Sequence, residues 1–169
     1  LRDLSKLLNS HDTRLITILA PGGMGKTRLA IEAARTQLGR YADGVFFVPL
    51  APLGSSNDIV TAIAENIGIS FYGENPPMEQ LINVLHDCAM LLVLDNFEHL
   101  LAGANVIVQL LQSAPALQLI VTSRTRLNLQ GEVVYQVPPL ALTTSTQLAE
   151  ASACDAVQLF VQHAKRSVT

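Results

Sequence analysis

Leu15-Ile16-Thr17-Ile18-Leu19-Ala20-Pro21-Gly22-Gly23-Met24-Gly25-Lys26-Thr27, followed by Arg28-Leu29-Ala30-Ile31-Glu32-Ala33-Ala34, decides the fold. The first five residues are apolar or β-branched and read as a buried strand. The last seven are good helix formers. A glycine-rich loop that ends in Lys-Thr at a strand-to-helix switch is the layout of a phosphate-binding P-loop. Gly22, Gly23 and Gly25 carry no Cβ, so the backbone there is expected to take positive φ and curl around an anion. The helix that follows adds free N–H groups and a favourable dipole. Lys26 is expected on the β- and γ-phosphates, and the Thr27 hydroxyl on Mg2+. The expected nucleotide contacts are Pro21, Gly22, Gly23, Met24, Gly25, Lys26, Thr27 and Arg28. Ala20 stands where such loops usually begin with glycine, a position that starts the turn rather than cradling phosphate.

Composition sets the frame. The 169 residues fit one domain, long enough for a real core. Apolar residues make up 49% and charged residues 15%, as in an α/β domain with a buried parallel sheet. Net charge is −3 without a basic stripe, which argues against direct nucleic-acid binding by this segment. Cys88 and Cys154 sit apart in apolar surroundings and read as free thiols in a reducing cytoplasm. Neither they nor His11, His86, His99 and His163 show metal-ligand spacing. No secretory signal or membrane-spanning helix is legible. The uncharged run 100–123 is broken by Asn105, Gln109, Gln112, Pro115 and Gln118, and reads as a helix followed by a strand. The chain opens with Leu and is expected to be an excised domain of a cytoplasmic protein.

Strands are expected at about 15–20, 44–50, 90–95, 117–123 and 133–138, with helices at 26–38, 58–67, 78–88, 104–113 and 153–166. Gly39 and Gly68 are placed as helix C-caps and Asn57 as an N-cap. Ile59, Ile63 and Ile67 mark a buried helix face. The alternation predicts an α/β fold with a parallel sheet covered on both faces. The segmentation is a lead at 1–14 with Leu4, Leu7 and Leu8 at helical spacing, a core at 15–140, and at 141–169 a loop that begins a lid or helical subdomain.

Two further strand ends carry chemistry. Leu91-Leu92-Val93-Leu94-Asp95 puts a carboxylate at the carboxyl edge of the sheet, where open α/β folds bind ligands. Asp95 is a hard oxygen ligand suited to Mg2+, directly or through water. Ile120-Val121-Thr122-Ser123 ends in Arg124, a guanidinium placed to contact a γ-phosphate. Arg126 is a weaker candidate for the same role. Asn96 follows Asp95 where efficient P-loop ATPases often place a Glu that polarises the attacking water. Glu98 can substitute if the chain turns back, and a helix-start or surface role is equally open to it. His99 reads as structural.

The motifs Pro-Gly-Gly-Met-Gly-Lys-Thr-Arg-Leu-Ala, Leu-Val-Leu-Asp-Asn-Phe-Glu-His-Leu, Val-Thr-Ser-Arg, Tyr135-Gln-Val-Pro-Pro-Leu140 and Ala156-Val-Gln-Leu-Phe160 occur in this order. Together they resemble the nucleotide-binding domain of STAND-class signalling ATPases, in the NB-ARC-like branch. They are similar above all to bacterial ATPases within large transcriptional regulators. The resemblance implies a P-loop NTPase three-layer α/β/α fold, with a five-stranded parallel sheet in the order 5-1-4-3-2. It implies ATP or ADP with Mg2+, a γ-phosphate sensor at Arg124 and ATP-dependent self-assembly. It also implies flanking modules: a winged helix, helical repeats and a DNA-binding unit.

The leading expectation is therefore a regulatory ATP switch with slow hydrolysis, a weak ATPase, and no membrane partner. The alternatives are an efficient ATPase motor or small-molecule kinase, and a non-hydrolysing nucleotide-binding interaction module. The stretch 139–152 holds no Arg or Lys, which argues against the arginine-rich lid of a kinase.

Overall fold

The computed structural model describes residues 1–10 and 12–138. The expected helix at 153–166, the loop before it, Cys154, His11 and His163 lie outside the described residues.

Ten main elements follow in chain order: α1 (Arg2–Asn9), β1 (Leu15–Leu19), α2 (Lys26–Arg35), β2 (Val45–Pro49), α3 (Ile59–Asn66), α4 (Pro77–Leu85), β3 (Leu91–Asp95), α5 (Ala104–Ser113), β4 (Gln118–Ser123) and β5 (Glu132–Gln136). All strand pairs are parallel, and the sheet order is β2-β3-β4-β1-β5. Read from the other side this is 5-1-4-3-2, the order the resemblance implies.

The strand pattern explains the layers. Side chains alternate across a strand. Leu92, Leu94, Leu119 and Val121 point to one face and join Ile59, Ile63, Leu81, Leu85, Ile107 and Leu110 of α3, α4 and α5. Leu91, Val93 and Ile120 point to the other and join Leu4, Leu8, Ala30 and Ala33 of α1 and α2. Both faces are apolar because both are covered, which is why the central strands read as unbroken hydrophobic runs. β2 is an edge strand, and there the pattern weakens: Val45 and Phe46 are half-buried and Phe47 is exposed. α1 is part of this packing, and Arg40 binds the Leu8 carbonyl and Asn9 Oδ1 at its end.

Several local expectations change. α2 ends at Arg35, and Gly39 (φ +87°) belongs to the turn beyond it. The chain closes α3 as expected at Gly68, where the Gly68 N–H meets Glu65 O and the Ile69 N–H meets Ala64 O. Asn57 is not the N-cap. Asp58 is, without a side-chain cap bond, and Ser55 caps the 3₁₀ turn Ser56–Asp58 that precedes α3, its Oγ accepting from the Asn57 N–H at 3.2 Å. α4 starts with Pro77 in its first turn, where a missing N–H costs nothing. Cys88 is half-buried and free, and its thiol donates to Val84 O at 3.0 Å. Burial, then Asp43 and Asp87, push its pKa up. Among the described residues no helix is long and apolar enough to cross a membrane.

Gly103 precedes α5 at a close approach. A Cβ there would stand 2.6 Å from Ile59 Cδ1 and 2.7 Å from Ser56 Cβ. The isoleucine tip can move, but the serine Cβ belongs to the 3₁₀ turn. Gly103→Ala is expected to destabilise the fold by about 1–3 kcal/mol, the usual cost of overpacking. Thermal denaturation checks this, and an unchanged midpoint would show that the two turns separate freely.

Candidate functional site

The carboxyl ends of β1, β3 and β4 lie side by side, because β4 sits between the other two. This adjacency is what brings three distant sequence segments into one cleft. The cleft has a volume of about 330 Å3, within the size range of small-molecule sites. Gly22, Gly23, Gly25, Lys26, Thr27, Asn96, Glu98, Thr122 and Arg124 line it.

The loop from β1 to α2 forms its floor. Gly23 (φ +77°) and Gly25 (φ +76°) are left-handed, and a Cβ at either would meet nothing within 4 Å. Their requirement is conformational. Gly22 differs from expectation: its φ is not positive. Nor is it crowded: a Cβ would touch the Arg124 guanidinium at ordinary contact distance, 3.4 Å from Cζ and 3.5 Å from Nη2. Ala20 is buried and unstrained, so the absent first glycine costs the turn nothing. Lys26 opens α2 and folds back, Nζ donating to Ala20 O at 2.8 Å and Pro21 O at 3.0 Å. Pro21, Met24, Arg28 and Asp95 do not line the cleft; Asp95 joins it through its hydrogen bonds to Thr27 and Thr122.

Asp95 ends β3 beside Thr27. Its Oδ1 accepts from Thr27 Oγ1 at 2.8 Å and from Thr122 Oγ1 at 2.6 Å. The Thr122 hydroxyl in turn accepts from the Asn96 N–H at 2.8 Å. Thr122 is not among the expected site residues, and the polar residues that end the apolar run of β4 are the signal that points to it. It couples the tips of β3 and β4 and fixes the Asp95 carboxylate. A hydroxyl and a carboxylate are hard oxygen donors, and Mg2+ is commonly held by one or two such groups plus phosphate oxygens. Thr27 and Asp95 fit that need. Among the described residues no cluster of three His, Cys, Asp or Glu side chains forms a self-sufficient metal site.

Asn96 is left-handed (φ 70°, ψ 54°), a conformation asparagine tolerates better than most residues. It reverses the chain into a 3₁₀ turn, Phe97–His99, anchored by the fully buried Phe97. The reversal delivers Glu98 into the cleft, where Oε1 meets Arg124 Nε at 2.8 Å. His99 does not itself line the cleft: its Nε2 is 3.1 Å from Leu53 O and its Nδ1 3.4 Å from Asn96 Nδ2. Both ring nitrogens are thus taken up in bracing the turn. Arg126 is exposed and outside the cleft.

Comparison with known proteins bears on the family and the fold. A family profile described as an AAA domain matches residues 8–133. An uncharacterised protein of Mycobacterium tuberculosis is 35% identical over 98% of this chain, which spans 39% of that protein. A second M. tuberculosis protein is 37% identical over 90% of the chain, which spans only 16% of it, and carries the provisional name of an HTH-type transcriptional regulator. The chain therefore covers well under half of the length of these curated relatives. Among solved structures, Cdc6p from Pyrobaculum aerophilum superposes with a TM-score of 0.56 at 17% identity, covering 73% of this chain and 38% of that one. The Aeropyrum pernix ORC2 protein, solved as ADPNP and ADP complexes, superposes at 0.50 and 16% identity, covering 72% of this chain and 39% of that one. These likenesses carry the fold. With the profile spanning most of the sequence and the sheet order matching, the chain belongs to the AAA domain family and has the fold of a P-loop NTPase.

Proposed function

We propose that this domain is an ATP- and ADP-binding regulatory switch with slow Mg2+-dependent hydrolysis, controlling the assembly or output of a larger protein. The observation that carries the reading is the convergence of Lys26, Thr27 and Arg124 on one cleft, with Asp95 bonded to Thr27, while Asn96, not a carboxylate, follows Asp95. The first three groups suit a nucleoside triphosphate: a point charge and backbone N–H groups for the phosphates, two oxygen donors for Mg2+, and a planar guanidinium for the terminal phosphate. Bound Mg2+ supplies charge neutralisation of the phosphates. Asn96 cannot take a proton from water, which favours holding nucleotide over fast turnover.

The order of motifs supports the NB-ARC-like branch of the STAND class in particular. The name of the longer M. tuberculosis relative supports a place inside a transcriptional regulator, with DNA binding residing in a flanking module. The partners in this reading are an adenine nucleotide, neighbouring domains and other copies of the same protein, in a cytoplasmic setting.

Steady-state hydrolysis by the full-length protein tests the switch. Turnover below about 1 per second is expected, and a higher unstimulated rate would favour a motor or enzyme. Arg124→Ala tests the γ-phosphate contact. A charge-assisted hydrogen bond contributes about 1.5–3 kcal/mol, so ADPNP affinity is expected to fall about 10- to 100-fold while ADP affinity holds. Isothermal titration reads both, and an equal loss for the two nucleotides would remove the sensor role.

A further inference from the structure

Arg124 lines the cleft with a side chain that is largely exposed and yet held at a single atom. Glu98 Oε1 takes Nε at 2.8 Å, with the arginine side chain 60% and the glutamate side chain 16% exposed. Among the described residues the terminal nitrogens Nη1 and Nη2 have no hydrogen-bond or ion-pair partner, and they lie over Gly22 at the edge of the phosphate loop. The guanidinium is therefore gripped by its inner nitrogen, with its outer fork left for an anion.

The grip itself is rigid. The left-handed Asn96, the buried Phe97 and the His99 contact to Leu53 O fix the turn that carries Glu98. The second carboxylate oxygen, Oε2, is buried with no hydrogen-bond partner. A fold does not bury an unpaired carboxylate oxygen for stability, because its desolvation is uncompensated. Nor does an ion pair with so exposed an arginine contribute much to stability. What the pair does supply is order. A free arginine has several rotatable bonds, and fixing them on binding costs affinity.

We infer that Glu98 is a positioning residue that sets the preference for nucleoside triphosphate over diphosphate, by aiming the Arg124 guanidinium at the terminal phosphate. This rests on the reading of Arg124 as the γ-phosphate contact. Glu98 acts through Arg124 and not on the nucleotide itself. Four donors remain on the guanidinium while Nε is engaged, so the carboxylate and the phosphate are served by different edges of the same group.

The test is a double-mutant cycle in the full-length protein, titrated with ADPNP and with ADP in the presence of Mg2+. Glu98→Ala is expected to weaken ADPNP binding about 3- to 10-fold, the cost of ordering one long side chain, and to leave ADP within twofold. Glu98→Gln, which keeps an acceptor for Nε, restores most of the loss. In the Arg124→Ala background Glu98→Ala has no further effect. Without nucleotide, the Arg124 Nε–H NMR signal is sharp and protected in the parent protein and exchanges rapidly in Glu98→Ala. Tighter ADPNP binding by Glu98→Ala overturns the inference, since the pair would then sequester the arginine. A loss that persists in the Arg124→Ala background also overturns it, since Glu98 would then act on its own. An Arg124→Ala variant with normal ADPNP affinity is a separate result, and overturns the γ-phosphate reading itself.

Discussion

Lys26→Ala is expected to abolish tight nucleotide binding, with ATP and ADP affinities each falling at least about 100-fold, or 2.7 kcal/mol. Lys26 occupies the first position of α2, and its Nζ already lies against the loop on the carbonyls of Ala20 and Pro21. Those two neutral acceptors position the ammonium at the phosphate-binding concavity. An ammonium that meets more than one anionic oxygen forms charge-assisted bonds of about 1.5–3 kcal/mol each. Removing it therefore exceeds any other single loss in the cleft. The fold should hold, because the carbonyls left behind can reach water, and the melting midpoint should move by less than about 4 °C. Calorimetric titration with ADPNP and ADP reads the affinity. Unchanged binding by a folded variant would sink the phosphate-loop assignment.

Asp95→Asn is expected to slow Mg2+-dependent hydrolysis by about 100-fold while leaving Mg2+-free nucleotide affinity within about threefold. The geometry separates the two effects. Asp95 Oδ1 accepts hydrogen bonds from Thr27 and Thr122, and an asparagine oxygen can accept both. The local structure is therefore preserved and only the charge is lost. Mg2+ discriminates strongly between a carboxylate and an amide, since it is a small, hard cation that is reluctant to lose water. Titrations with and without EDTA, beside a turnover assay, check the prediction. Equal losses in all three would mean that the substitution loosens the junction of β3 and β4 instead.

The sheet was legible in the sequence because its central strands are unbroken apolar runs, and because the loop at 20–27 identifies which strand begins the fold. The order of the strands came through the resemblance, since periodicity alone cannot say that β4 lies between β1 and β3. Boundaries were less legible where tertiary contacts decide them. α2 stops at Arg35 although helix-compatible residues continue, and Ser55 rather than Asn57 caps the turn before α3. Asp95 and Arg124 were visible because a charged residue closes an apolar strand. Thr122 was not, since a threonine at a strand end is compatible with ordinary β propensity. The pairing of Glu98 with Arg124 depends on the backbone reversal at Asn96, a dihedral choice that no residue spacing announces. The likeness of the three loop glycines was misleading in one respect, as only two of them are left-handed.

That difference among the glycines has a consequence for how this sequence can vary. Gly23 and Gly25 are restricted by their own dihedral angles, so no change elsewhere relieves them. Gly22 carries neither restriction, since its φ is not positive and a Cβ would only touch the guanidinium of Arg124 at ordinary contact distance. Position 22 can therefore take alanine beside an unchanged Arg124, and only a side chain longer than alanine would press on the guanidinium. Such a longer side chain at 22 would be felt, in this protein, just beyond the tip of β4.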